Sequence, residues 1–440
     1  MKMKTLLPAA LLLATVLGTT SARAGTEITL FRFFGGCTDE YARVTDLSKA
    51  VGECGIIQVL TNKFNAENKE GITVKTQSVE WGVYYDRLSA NVAGRTPPDI
   101  AVMHRSVLPN YQLRNLLQPL GKDFAAVGID AADFLPVARN AVTANGEIWA
   151  LPFDVHALLW HVNADLFIRA GLVDAQGQPK LPTSPAELLQ HAETMKAKTG
   201  KPYFAIPSGA DPMPAWQYLT WLWQQGGNIV DAERKAQLES KESKEALRLL
   251  DALYAAGHAN RKHDYAGAQQ AFLAGEAAVL VNGTWGVDTY AAQAKEPNVA
   301  LKKYVVRDMP RLYAREAVWS DSHMWVLPKQ SKPDAAKQKA ALSFLKFLND
   351  NNFQWARTGH LPVRTSVLQS AEMRALPHRS EYTHTATIAT AMPPIEYQRA
   401  HMDLLVNELN STWLVNKDPN QALSDAQRTA SSILRRSRHR

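Results

Sequence analysis

Strand and helix signals alternate along almost the whole of this chain, and that alternation restricts it to an α/β fold. Residues 27–34 follow a two-residue period, with Ile28, Leu30 and Arg32 on one side and Thr29, Phe31 and Phe33 on the other. Between residues 56 and 68 the apolar positions Ile56, Val59, Leu60 and Phe64 follow a helical period instead. Residues 72–79 alternate again. Residues 84–93 read as a helix closed by Gly94, and Pro97-Pro98-Asp99 separates it from a short buried strand over 100–103. Further strands are predicted over 148–151, 158–162, 277–281 and 324–327. Ser184-Pro185 with Glu187 opens a helix, and another runs from Pro333 to about Leu348.

Residues 1–24 have the features of a secretory signal. Lys2 and Lys4 precede an apolar run over 6–17, and Ala22-Arg23-Ala24 forms a small-residue exit. The run is too short for a stable membrane anchor. A lipid-anchored protein needs a cysteine just after the cut, and the first here is Cys37. The expectation is a released periplasmic protein that is not lipid-anchored. Without this segment 416 of the 440 residues remain, enough for two domains. The segment carries Lys2, Lys4 and Arg23 and no acid, so the formal charge falls from +7 to +4. Part of that excess is the basic end, residues 435–440, read as a solvated terminus. No basic stripe interleaved with aromatics points to nucleic acid.

Cys37 and Cys54 are the chain's two cysteines. In an exported protein they most simply form a disulfide, which would pin the polar insertion Thr38-Asp39-Glu40-Tyr41 beside the end of the first strand. A metal pair or free thiols are the alternatives, and two thiolates alone make a poor zinc site.

Five blocks carry a family resemblance. They are Gly94-Arg95-Thr96-Pro97-Pro98-Asp99-Ile100; Leu151-Pro152-Phe153-Asp154-Val155 with Trp160 to Phe167; Phe272-Leu273-Ala274-Gly275-Glu276 with Asn282-Gly283-Thr284-Trp285; Ser343 to Leu348; and Gly359-His360-Leu361-Pro362-Val363-Arg364. In this order the chain resembles the maltose-binding-type extracellular solute-binding proteins of carbohydrate ABC importers. The resemblance implies a type II periplasmic-binding-protein fold: two α/β lobes, each a mixed sheet flanked by helices, with ligand held between them. The expected division is 25–140 plus 300–345 for the first lobe and 141–299 plus 346–440 for the second, with the hinge near 138–148 and 300–320. It also implies a monomer that binds a carbohydrate and docks on inner-membrane permease subunits served by a cytoplasmic ATPase. The segment 35–55 is longer than the family's usual turn, so ligand contacts do not carry over there.

A sugar presents hydroxyl edges and apolar C–H faces, so its cleft needs aromatic platforms and hydrogen-bonding groups. Trp285, after the Asn282-Gly283 turn, matches a family stacking position; the competing reading is a core tryptophan. Trp216, after Pro212-Met213-Pro214, and Trp81, at a strand-to-helix junction, are further platforms. Trp221 and Trp223 read as helix packing, and Tyr84-Tyr85 as helix surface and core. His104 and Arg105 follow a strand's carboxyl end, where open α/β sheets bind ligand. Asp154 and His156 lie in the crossover block. Asp321 and His323 sit in a polar run that enters an apolar strand, and an interlobe hydrogen bond is the alternative there. Arg364 suits a hydroxyl or a carboxylate, and Asp39 and Glu40 enter through the insertion. Asp99 reads as a structural turn residue. No catalytic residue, metal or cofactor is expected.

The rival readings are a glycoside hydrolase, the same scaffold for another solute, and an envelope interaction or chaperone-like protein, which would not need aromatic loops at several strand ends. A glycoside hydrolase would need a carboxylate pair such as Asp154 and Asp321, without any hydrolase motif to support it. A ferric receptor would need paired tyrosines, but Tyr84 and Tyr85 diverge on a helix. A phosphoester or acidic-sugar receptor would use Arg105, Arg364 and the histidines, and a polyamine receptor would use several carboxylates.

Overall fold

The computed structural model describes residues 25–393 and 395–437; the expected signal segment 1–24 and the last three residues of the basic end lie outside them. Thr26–Arg32 is the first strand, and its inward residues Ile28 and Leu30 are fully buried. It pairs in parallel with Ile72–Ser78 and with Ile100–His104. Parallel neighbours need crossovers, supplied here by the helices Gly52–Glu67 and Trp81–Ala93. His323–Val326 pairs antiparallel with Ile100–His104, and Leu151–Pro152 joins beyond it. This sheet packs on a core that includes Val102, Trp325, Phe344 and Leu345.

The second sheet is built on Asp154–Asn163, a strand buried at every residue. Because both its faces are covered, it reads as a nearly continuous apolar run rather than an alternating one. Val279–Gly283, Tyr304–Arg307, Val318–Asp321 and Leu361–Pro362 all pair antiparallel with it. Phe204–Ala205 and Ala389–Thr390 extend the sheet on either side. Its core gathers Trp160, Phe167, Leu219, Leu250 and Val281. The helix predicted at Ser184 forms as Pro185–Thr199, with the Ser184 hydroxyl accepting from the Glu187 N–H.

Strand pairing corrects the expected division. Tyr304–Arg307 and Val318–Asp321 belong to the second sheet, not the first. Val142, Ala150 and Leu151 pack in the first core, as do Leu348 and Trp355. The chain therefore crosses at 153–154, at 321–323 and again between 355 and 361. Periodicity reveals a strand but not its partner, and each of these pairings spans many residues.

Cys37 and Cys54 are bonded, with their Cα atoms 5.9 Å apart. The bond holds the insertion against the start of Gly52–Glu67. There Gly55 lets Tyr41 approach, since a Cβ at Gly55 would lie 2.9 Å from the Tyr41 ring.

Candidate functional site

A cleft of about 1320 Å³ opens between the two sheets. Its second-lobe wall is aromatic. Trp216, in the helix Met213–Gln224, stacks on Trp319 with ring centres 3.8 Å apart and planes 13° from parallel. Trp285 stands nearly perpendicular to Trp216 at 6.3 Å, and its Nε1–H donates to the Tyr265 hydroxyl over 2.9 Å. Gly283 makes room for that indole: a Cβ there would lie 2.0 Å from the Trp285 ring. Asp211 lies beside this wall, and burial pushes its carboxyl up to about 6.

The first-lobe wall is built differently. Phe33 and Phe34 follow the first strand, and Phe34 takes a left-handed φ of 80° to turn the chain into the disulfide loop. Trp81 is 41 % exposed and lies under the Arg399 guanidinium at 5.4 Å. Glu40, Glu53 and Glu80 bring carboxylates from the disulfide loop and from the N-terminal ends of two helices. Arg105 lies between the walls with its Nη1–H toward the Met392 carbonyl at 3.4 Å, and burial lowers its pKa.

The floor is organised around Asp154, which is fully buried. Its Oδ1 accepts from His156 Nδ1 at 3.0 Å and from the His323 backbone N–H at 3.0 Å. Its Oδ2 accepts from His323 Nδ1 at 2.7 Å and from Trp355 Nε1 at 2.7 Å. Burial acts to raise the Asp154 carboxyl, but His323, His360 and these hydrogen bonds outweigh it and hold it well below the usual carboxylate range. The direction does not require a charged His323, because the N–H donors alone favour the carboxylate form. Burial pushes His104 down to about 4 and holds His323 well below the ordinary imidazole range. For His360 burial acts to lower the pKa, but Asp154 and Glu53 together raise it. Because Asp154 begins the second-lobe strand while His323, Trp355 and His360 lie on the other two crossings, one carboxylate ties all three hinge segments together.

Of the residues singled out from sequence, Trp285, Trp216, Trp81, His104, Arg105, His156, Asp321, His323 and Glu40 line the cleft. Asp321 also bridges the lobes: its Oδ2 accepts from the Ser106 hydroxyl at 2.6 Å. Asp154 lies behind the surface and acts through the histidines. Arg364 lies elsewhere. Its Nε–H pairs with Asp133 at 2.7 Å and its Nη1–H reaches the Asn349 carbonyl at 3.1 Å, so its charge is spent on structure. Asp39 is exposed and does not line the cleft; from the insertion the buried Tyr41 and the exposed Glu40 line it instead. Asp99 accepts from the Thr29 N–H and hydroxyl at 2.8 and 3.0 Å, away from the cleft. Sequence reasoning gave Tyr85 to helix surface and core and did not single out Asp211, Tyr265, Trp319 and Arg399. Trp319 lay in the polar run already noted, whereas nothing local marks Arg399, which a C-terminal helix returns to the cleft.

Two α/β lobes, three crossings and an interlobe cleft define a hinged solute receptor of the type II periplasmic-binding-protein fold. The profile of the bacterial extracellular solute-binding proteins matches residues 60–381, and the chain belongs to that family. The sn-glycerol-3-phosphate-binding periplasmic protein UgpB of Escherichia coli K12 is 24% identical over 417 residues, covering 88% of this chain and 91% of that one. The GacH receptor of Streptomyces glaucescens superposes with a TM-score of 0.78 at 20% identity, over 93% of this chain and 99% of that one. UgpB of Mycobacterium tuberculosis, in complex with glycerophosphocholine, superposes at 0.76 with 18% identity, over 94% and 100%.

Proposed function

We propose that this chain is the periplasmic receptor of an ABC importer, capturing a sugar or short oligosaccharide without catalysis. The observation that carries this reading is the stack of Trp216 on Trp319 with Trp285 beside it, in a cleft to which both lobes bring carboxylates. Indole planes receive the apolar faces of a pyranose, and carboxylates accept its hydroxyls. The cleft is larger than the few hundred cubic ångströms a small solute fills, which suits more than one sugar ring. Solute touching both walls would favour the closed arrangement of the lobes, and the closed form would engage the membrane permease and its ATPase. The relatives named as periplasmic, and the finding that no described helix is long and apolar enough to cross a membrane, support this placement.

A phosphoester is the second reading. It is favoured by what the two UgpB proteins are named as binding and by Arg105 and Arg399 in the cleft. Against it, Glu40, Glu53, Glu80, Asp211, Asp321 and Asp403 line the same space, an excess of acid that repels a free phosphate. A thermal-shift panel of mono- and oligosaccharides, sn-glycerol 3-phosphate and glycerophosphocholine separates the two. Solute at 100 times its Kd adds about 2.7 kcal/mol and raises Tm. A rise with saccharides alone supports the first reading. A rise with the phosphoesters alone overturns it in favour of the second.

A further inference from the structure

His104, His156 and His323 converge where the two sheets meet. His104 and His323 are register partners on neighbouring strands of the first lobe, and His156 stands on the central strand of the second. One ring nitrogen of each lies within 4.8 Å of one from each of the others. Their ring centres are 4.4, 4.7 and 5.8 Å apart. Three imidazoles on one tetrahedral ion, at metal–nitrogen distances of about 2.0–2.1 Å, place their ring centres roughly 5 Å apart.

The outer partners have the matching chemistry. Asp154 accepts from Nδ1 of both His156 and His323, while the Tyr85 hydroxyl, which accepts the His104 backbone N–H at 2.8 Å, also lies 2.6 Å from Nδ1 of His104 and fixes that ring. Among the described residues no hydrogen bond is made to Nε2 of any of the three. An imidazole whose Nδ1–H donates to a carboxylate presents its Nε2 lone pair outward, the arrangement that orients histidine toward a metal ion. Asp154 is itself fully buried and holds its two imidazoles from behind. A set of imidazoles without thiolate suits zinc, nickel or copper rather than calcium or magnesium.

We propose that the cleft floor is a divalent transition-metal site in which His104, His156 and His323 are the ligands and Asp154 and Tyr85 the outer partners, with the fourth position open to the cleft. This goes against the sequence expectation of no metal and does not depend on which solute the cleft takes. An ion held there joins the first lobe to the second, so it favours the closed arrangement. It also offers a solute oxygen a coordination point at the hinge.

The test uses the untagged mature chain, stripped with a chelator and titrated with Co²⁺, then with Zn²⁺. One equivalent of Co²⁺ should give the intense visible absorption of a four-coordinate ion, and Zn²⁺ should abolish it. His104→Ala, His156→Ala and His323→Ala should each lose the band. Asp154→Asn should weaken Co²⁺ binding about 10–100-fold, the usual effect of removing an outer-shell partner. Thermal melts establish which variants fold, and His104→Ala, at the end of its strand, keeps the question answerable if Asp154→Asn does not. His384→Ala, on an exposed histidine, should leave the titration unchanged. No band at one equivalent, or a band that survives His104→Ala and His156→Ala, overturns the proposal.

Discussion

The two walls of the cleft solve different problems. The second-lobe wall is a rigid aromatic surface: Trp319 is 4 % exposed and backed by the core, Trp216 lies flat on it, and Gly283 seats Trp285. The first-lobe wall hangs its groups on helix starts and on a disulfide-closed loop, where Glu40, Glu53 and Glu80 stand beside Phe33, Phe34, Tyr41 and a half-exposed Trp81. Stacking demands a fixed plane and therefore needs a core behind it. Hydrogen bonding to varied hydroxyls tolerates a loop. On the proposed function, the second lobe supplies the stacking surface backed by a core, and Asp154 sets the relation between the lobes.

The largest effect should come from breaking that relation. Asp154→Ala leaves His323 and Trp355 without their buried acceptor and should cost about 3–5 kcal/mol by urea unfolding. A loss below 1 kcal/mol would show that the lobes hold their relation without it.

Stability should also fall under acid. His161 and His401 are buried in the second lobe, and burial lowers them to about 3 and about 4. A histidine lowered on folding takes up its proton first in the unfolded chain, so stability is lost as pH falls from 6.5 through these values. By pH 5 each should cost about 2 kcal/mol. Urea unfolding should therefore find the chain less stable at pH 5 than at pH 7. Equal stability at the two values would overturn it.

Cys37→Ser with Cys54→Ser should cost roughly 3 kcal/mol, falling on the first lobe. Exchange measured across 35–55 reads it, and an unchanged segment would mean that the loop is held by Tyr41 and Gly55 alone. Trp216→Ala and Trp285→Ala should each weaken solute binding by about 1–3 kcal/mol in calorimetry, and Trp81→Ala by less. Equal losses at Trp81 and Trp216 would erase the distinction between the walls. Arg364→Ala should leave affinity unchanged while lowering Tm, because its partners are Asp133 and Asn349.

Much of the architecture was legible locally. The alternation over 27–34, the helical stripe at Ile56, Val59, Leu60 and Phe64, and the Ser184-Pro185 start each state their element through nearest neighbours. The aromatic platforms were legible for a related reason: Trp285 and Trp216 follow turn or proline signals that deliver a side chain to a strand or helix end. Arg364 misled because a charge at the end of a family block says nothing about its counterion, and Asp133 lies far away in sequence.

By itself the sequence determined the α/β class, the order of the elements and the cysteine pair, since these follow from periodicity, turn chemistry and an export context. Only the tertiary structure decided where the chain crosses between lobes, how Trp319 meets Trp216, and that Asp154 gathers His156, His323 and Trp355. These are long-range pairings: strand register and buried hydrogen bonds form between residues that share no local pattern, and they are chosen by the need to satisfy each buried polar group and fill each core at once.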